Sequence, residues 1–160
     1  MFASRECAGV AQIAVPSEAR ACSTLSRIDY ADAFLLSLQR PAERTPLRWA
    51  RMVLEDAPAP TRARLLSGWS MLGLRLDCSP ATVLGWQIRR STADYVLLGA
   101  ESRIGMPGQL LFTRRPDGLL FDTFVGQHNV LARGMWASVQ ATHVRVVREI
   151  LEDAGRRAAR

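Results

Sequence analysis

The hydrophobic pattern of the last third of the chain predicts a long amphipathic helix from about residue 138 to residue 154. Charged side chains fill the positions between its apolar residues, as on the wet side of a surface helix. The apolar positions recur at the three- and four-residue steps of a helix: Val139, His143, Val146, Val147, Ile150, Leu151 and Ala154. Most of the earlier chain supplies strands and short helices able to cover this stripe, so we expect the fold to be built around the C-terminal helix.

Two different hydrophobic patterns, one typical of a strand and one typical of helices, precede the C-terminal helix. Residues Ile28–Leu38 alternate with period two and predict a strand, which places Asp32 on the apolar side unless a bulge turns it outward. Two short helices are then expected. The first begins at Thr45, a capping residue followed by a proline, and the second is capped by Thr61 and ends at a left-handed Gly73.

From residue 79 onward the period is two, and short turns separate the apolar runs. Connections this short force antiparallel neighbours, because a parallel return needs a long crossover. Pro116 and Asp117 predict a tight hairpin in which Gly118 takes a positive φ, and residues 84–88 and 130–136 are each expected to be strands. The predicted class is α+β: six to seven antiparallel strands, two short helices after the first strand, and a long C-terminal helix.

The length and composition fit one domain. The chain has 160 residues, of which 48% are hydrophobic, enough for a core without disulfide or metal support. We expect a loosely ordered leader over residues 1–25 that adds a short strand or turn near residues 10–16. A single domain over residues 26–156 and a basic tail over residues 157–160 complete the expected organisation.

The charge pattern excludes several classes of function. All 21 basic residues are arginine and the net charge is +6, but the arginines are scattered rather than clustered with stacking aromatics, so we expect no nucleic-acid partner. Without lysine, Schiff-base chemistry has no residue to use. The three cysteines show no metal-ligand spacing, so free thiols in the cytoplasm, without metal or cofactor, are expected. No apolar run is long enough to span a membrane.

Three short motifs and the order of elements resemble a known superfamily. The motifs are Asp29–Phe34 in the first strand, Leu84–Ile88 in a later one, and Trp136 followed by His143 in the helix. Over about residues 28–155 the chain resembles the START-like, or helix-grip, superfamily (SRPBCC; polyketide cyclase and Bet v 1-like domains), and is most similar to a bacterial START-like family of unknown function. The resemblance implies an antiparallel sheet curved around the C-terminal helix, often with a cavity whose lining decides function; it implies no catalytic residue.

The leading hypothesis is binding of an apolar, aromatic or amphipathic small molecule between sheet and helix. It rests on the supply of aromatic side chains in elements that would line such a cavity. The alternative for these side chains is ordinary core packing. The expected ligand-binding residues are Tyr30, Trp86, Phe112, Phe124, Trp136 and His143.

A second hypothesis is a cyclase- or dehydratase-like enzyme that uses His143 with Asp122 or Arg133 as its partner, since histidine is the side chain most often used for acid–base catalysis. The alternatives are a core histidine with one hydrogen bond and an Asp122 on the wet face of the sheet. Asp29 and Asp32 point to opposite faces, so a carboxylate pair is weak; Asp32 fits better as a buried group bonded to an arginine or a backbone amide. A third hypothesis is a non-enzymatic module that forms a homodimer.

Overall fold

The computed structural model describes residues 9–160 and shows seven strands and four α-helices within them. The strands are β1 Val10–Ile13, β2 Tyr30–Ser37, β3 Thr82–Val83, β4 Trp86–Ser91, β5 Tyr95–Ala100, β6 Gly108–Arg115 and β7 Gly118–Val125. The helices are α1 Ser17–Cys22, α2 Pro46–Leu54, α3 Ala59–Met71 and α4 Val130–Ala158.

All seven strands form one antiparallel sheet in the order β1-β2-β7-β6-β5-β4-β3. The sheet is open, with β1 and β3 at its edges. The α+β class, the antiparallel sheet, the two helices after the first predicted strand and the long C-terminal helix are therefore confirmed, and a helix-grip fold has the same arrangement.

The main core lies on the face of the sheet that α2, α3 and the C-terminal half of α4 cover. Strand alternation sends Phe34, Phe112 and Phe121 to this face, and all three are buried. Val147, Ile150 and Leu151 of α4 pack against them, as the helix period predicted. None of the helices within residues 9–160 combines the length and apolar composition that crossing a membrane requires.

The second face of the sheet is covered by the N-terminal segment. Ala19 of α1 packs with Leu97, Leu111 and Phe124, together with half-buried residues on either side of the helix. Of the short strand or turn expected near residues 10–16, the structure shows the strand, β1. The helix α1 was not predicted, because its sequence has no clear period and its order comes from packing on the sheet. Residues 1–8 of the expected leader lie outside the described residues.

The start of α4 corrects one prediction. Residues 130–136, expected to be a strand, are the first two turns of the helix. Asn129 caps it by accepting a hydrogen bond from the Ala132 amide, 2.8 Å away. Such a cap stabilises a helix by about 1 kcal/mol, which offsets the similar cost of Gly134 in its interior.

Two turns also differ from the expectation. Residues 84–88 are not one strand, because Leu84 and Gly85 form a tight turn between β3 and β4, with φ of 46° and 91°. Positive φ at both central residues is what a two-residue hairpin turn requires. Gly118 does not take a positive φ; it lies within β7, where a β-carbon would overlap the carbonyl oxygen of Leu36.

The helix signals were mostly correct. Thr45 caps α2 by accepting from the Arg48 amide at 3.2 Å, and Gly73 follows α3 with a φ of 75°. The second of the two predicted helices, α3, begins at Ala59, before the predicted cap at Thr61. Proline is well tolerated in the first turn of a helix, so α3 includes Pro60 in its first turn instead of starting after it.

Candidate functional site

The candidate site is centred on Asp32 in β2. The strand pairs with β7 in unbroken register, with Asp32 opposite Thr123, so no bulge turns the carboxylate outward. Asp32 therefore shares the helix-covered face with Phe34, and its side chain is only 2% exposed. The regular-strand prediction for this residue is confirmed.

One oxygen of this carboxylate has two partners. The Tyr30 hydroxyl donates to Asp32 Oδ2 at 2.7 Å, and His143 Nε2 lies 2.9 Å from the same oxygen. The expected arginine or backbone partner is replaced by a phenol and an imidazole. Hydrogen bonds to a charged acceptor are stronger than neutral ones, so these two offset much of the cost of burying the carboxylate.

Three rings surround the carboxylate. The His143 ring centroid lies 5.0 Å from that of Trp136, which lies two helical turns earlier in α4, and 6.1 Å from that of Tyr30. The Tyr30 and Trp136 centroids are 4.8 Å apart. Burial, and then the bond to Asp32, raises the pKa of Tyr30 well above its ordinary value, so the hydroxyl keeps its proton and remains a donor.

Several buried polar atoms in this region have no hydrogen-bond partner among the described residues. They are Asp32 Oδ1, Thr123 Oγ1, Trp136 Nε1 and Trp86 Nε1. We call Tyr30, Asp32, Thr123, Trp136 and His143 the Asp32 cluster. The ring of Trp86 lies near this cluster. It covers Gly108, which pairs in register with Val125, and Val125 pairs in turn with Tyr30.

The structure brings together some of the predicted ligand-binding residues and separates others. Tyr30, Trp136 and His143 belong to the cluster, and Trp86 adjoins it. Phe112 is fully buried in the main core, with its ring centroid 4.8 Å from that of Phe121. Phe124 lies on the second face of the sheet, where it packs with Leu97 and Leu111.

Asp122 is not near His143, because it points to the second face of the sheet. It pairs in register with Ala33 and Leu111, its side chain is fully buried, and neither oxygen has a partner among residues 9–160. Burial first, and then the charge of Asp32, raises the pKa of Asp122 to about 7. The expectation of a wet-face Asp122 is wrong, since α1 and its flanking residues cover that face.

The partner of His143 was missed. Arg133, one of the two predicted partners, is exposed on α4, and Asp122 lies on the opposite face; the atom bonded to the imidazole belongs to Asp32. A signal existed in the sequence: Asp32 interrupts the apolar face of its strand, and His143 interrupts the apolar stripe of its helix. Two buried polar side chains on facing elements are expected to bond to each other.

Two surface grooves lie elsewhere. One, of about 570 Å³, is bordered by Arg51, Glu55 and the exposed Cys78; the other, of about 760 Å³, is bordered by Arg40, Asp94 and Arg114. None of the six predicted ligand-binding residues lines either groove. Both grooves are open and bordered by exposed charged side chains, so neither resembles the apolar cavity expected from the sequence.

The chemistry available at the Asp32 cluster is that of an oriented imidazole. A carboxylate bonded to one ring nitrogen fixes the tautomer and the ring plane, and leaves the other nitrogen, Nδ1, to bind or move a proton. The His143 side chain retains 18% of its exposure, so the ring is not sealed in aliphatic core. No group of three His, Cys, Asp or Glu residues within residues 9–160 is placed to hold a metal ion.

Comparison of the chain with protein-family models, curated proteins and solved structures finds no match, so the site is interpreted through its own geometry.

Proposed function

We propose that the chain is a START-like domain that binds an apolar or amphipathic small molecule between the sheet and the N-terminal half of α4. The apolar body of the ligand contacts the rings of Tyr30, Trp86 and Trp136, and its polar end meets Asp32 and Thr123. The order of elements supports this proposal. The observation that carries it is the group of buried polar atoms on this part of the sheet that have no partner among residues 9–160.

Such atoms are rare in folded proteins. Most buried polar side-chain atoms have a hydrogen-bond partner, because leaving one unpaired costs about 1–3 kcal/mol. Here Asp32 Oδ1, Thr123 Oγ1 and Trp136 Nε1 belong to one cluster. A ligand with a polar end satisfies several of these atoms at once, whereas apolar packing satisfies none.

The two halves of α4 differ in a way that favours entry at this end. The half beyond residue 144 buries five residues of the helix: Val147, Ile150, Leu151, Ala154 and Gly155. The first half buries only Ala132 and Trp136, and Val130 and Leu131 are 76% and 60% exposed. Fewer buried contacts mean a lower cost of local opening, so the first half of the helix is the part that yields to a ligand.

A binding screen with a matched pair of variants tests the proposal. Native mass spectrometry and thermal shift against a panel of apolar and amphipathic molecules should reveal a binder. Thr123→Met fills the space beside Asp32 and should abolish binding. Leu120→Met changes a buried residue of the same strand on the other face and should leave binding intact. Equal binding by both variants, or no binder at all, contradicts the proposal.

A second candidate function is acid–base catalysis at the same place. It is favoured by the 2.9 Å contact between His143 Nε2 and Asp32 Oδ2, which is the geometry of an oriented general base. Relative to the sequence prediction, Asp32 takes the role that had been given to Asp122 or Arg133. Tyr30, held as a neutral phenol, supplies a second donor near a bound molecule.

The enzyme hypothesis has its own test. Each molecule found in the binding screen is incubated with the wild-type protein and with His143→Gln, and the mixture is analysed by mass spectrometry and nuclear magnetic resonance. Conversion that depends on His143 supports catalysis. Recovery of every bound molecule unchanged, with binding intact, leaves a binding protein without chemistry.

A further inference from the structure

We infer that the site selects a neutral polar head that both donates and accepts a hydrogen bond, a hydroxyl or a primary amide on an apolar body, and that it rejects a carboxylate. This inference rests on the proposed binding function and adds the chemical class of the ligand. It is drawn from the identity of the atoms that lack partners in and beside the Asp32 cluster.

The first constraint comes from Asp32. Its Oδ2 is already used by Tyr30 and His143, and its Oδ1 is buried without a partner among the described residues. A carboxylate oxygen accepts and does not donate, so the group that meets Oδ1 must carry a hydrogen-bond donor. A carboxylate head has no proton to offer there and places a second negative charge beside the first.

The second constraint comes from the indole of Trp136. Its Nε1 is a donor only, and it too is buried without a partner among the described residues, so a head group that reaches both atoms must also present an acceptor. Thr123 Oγ1 donates or accepts and does not restrict the choice. A hydroxyl or a primary amide carries a donor and an acceptor within one small group, whereas an ammonium carries donors alone.

The charges around the cluster agree with a neutral head. Among the described residues, the basic side chain that contacts Asp32 is that of His143, and the contact is made on Oδ2, so no basic group meets Oδ1. Arg148, the arginine of α4 that reaches β1 and β2, is engaged elsewhere: its guanidinium donates to the Val10 carbonyl and lies 5.4 Å from the Phe34 ring centroid. A buried carboxylate ligand would therefore lose its water without gaining an arginine.

Four probes that share one apolar body test the inference. They are 2-naphthalenemethanol, 2-naphthamide, 2-naphthoate and 2-methylnaphthalene, each titrated at pH 8 by calorimetry or equilibrium dialysis. The alcohol and the amide should bind about tenfold more tightly than 2-methylnaphthalene, since one well-placed hydrogen bond has roughly that worth. The naphthoate should bind more weakly than all three.

Two variants separate a hydrogen-bonding role from a structural one. Trp136→Phe keeps an aromatic ring and removes the N–H, and should cut the preference for the alcohol over 2-methylnaphthalene several-fold. Trp49→Phe makes the same change where the indole N–H already donates to the Pro41 carbonyl at 2.8 Å, and should lower stability while leaving the preference unchanged. Asp32→Asn removes the negative charge and should reduce the discrimination against naphthoate.

The outcomes are distinguishable. If all four probes bind equally, or naphthoate binds most tightly, the inferred head-group class is wrong while the binding function stands. An unchanged preference in Trp136→Phe likewise overturns the role of the indole. If none of the four probes binds, the inference is overturned, while the proposed function is decided separately by the panel of apolar and amphipathic molecules.

Discussion

The two buried aspartates of this protein lie on neighbouring strands and differ in almost everything except burial. Asp32 on β2 faces the helices and shares one oxygen between Tyr30 and His143. Asp122 on β7 faces the N-terminal segment, and neither of its oxygens has a partner among residues 9–160. The pairing of Ala33 with Asp122 puts the two carboxyl groups one residue apart across adjacent strands, on opposite faces of the sheet.

The comparison shows that partners, rather than burial, decide what a buried carboxyl group does. Asp32 has a phenol and an imidazole as hydrogen-bond partners, so it can orient the ring of His143. Asp122 has no hydrogen-bond partner among residues 9–160, and burial and then the nearby charge of Asp32, opposed by Arg115, raise its pKa to about 7. One aspartate belongs to the candidate site, and the other is expected to make the stability of the fold depend on pH.

The largest expected effect concerns Asp122. Its folded pKa of about 7 lies above the ordinary 3.8, so between these values the native state holds a proton that the unfolded state has released. The contribution of Asp122 to stability is then greatest below about pH 4, falls as the pH rises towards 7, and levels off above about pH 8. The full loss is on the order of 4 kcal/mol, at 1.36 kcal/mol per pKa unit.

Urea unfolding at a series of pH values measures this loss. Asp122→Asn should match the wild type near pH 4 and be more stable at pH 8, because the amide has no charge to bury. Asp94→Asn, at an exposed position, is the control and should follow the wild-type curve. A wild-type profile that rises between pH 5 and pH 8 would show that Asp122 is ionised in the native state.

The next effect is expected at Asp32. Asp32→Ala leaves the Tyr30 hydroxyl and the His143 ring without their shared acceptor, and should lower the free energy of unfolding by about 3 kcal/mol. Denaturant unfolding at pH 7 measures the change. A loss below about 1 kcal/mol would mean that the two donors find other partners and that the cluster is not preorganised.

A smaller effect is expected for the helix side of the same contact. His143→Ala removes one of the two donors to Asp32 Oδ2 and should cost about 2 kcal/mol. The double variant with Asp32→Ala should cost less than the two single changes added together, by about 1 kcal/mol, because the residues share one contact. Additive losses would show that the 2.9 Å contact contributes little in solution.

The smallest effect is expected for Tyr30. Tyr30→Phe keeps the ring that packs against Trp136 and removes only the hydroxyl, so the loss should be about 1 kcal/mol, the net worth of one hydrogen bond. If the hydroxyl matters for ligand orientation, binding of 2-naphthalenemethanol should weaken more than binding of 2-methylnaphthalene. Identical changes for both probes would assign Tyr30 a packing role alone.

Part of the candidate site was predictable from local patterns. Alternation in the first predicted strand put Asp32 on the apolar side, and the helix period put His143 on the buried stripe of α4. Tyr30 and Trp136 were named as ligand-binding residues and lie within the cluster. The contact between Asp32 and His143 was not predicted, because 111 residues separate them and no local pattern reports which strand a helix position meets.

The outcome for Asp122 also shows that local patterns do not report which distant residues meet. Alternation grouped it correctly with Leu120 and Phe124, but both faces of β7 are buried along its length, so apolar content did not distinguish them. Its burial depends on Ala19 and the residues around α1, a segment whose weak period predicted little order.

By itself, the sequence determined the type of most elements, the antiparallel connections and the long C-terminal helix, because helix period, strand alternation and turn chemistry act over a few residues. The tertiary structure alone decided which buried polar groups meet, which face of the sheet each aspartate occupies, and which buried atoms are left unpaired. Those outcomes depend on contacts between residues far apart in the chain, where the register of one strand and the packing of one helix choose the partners.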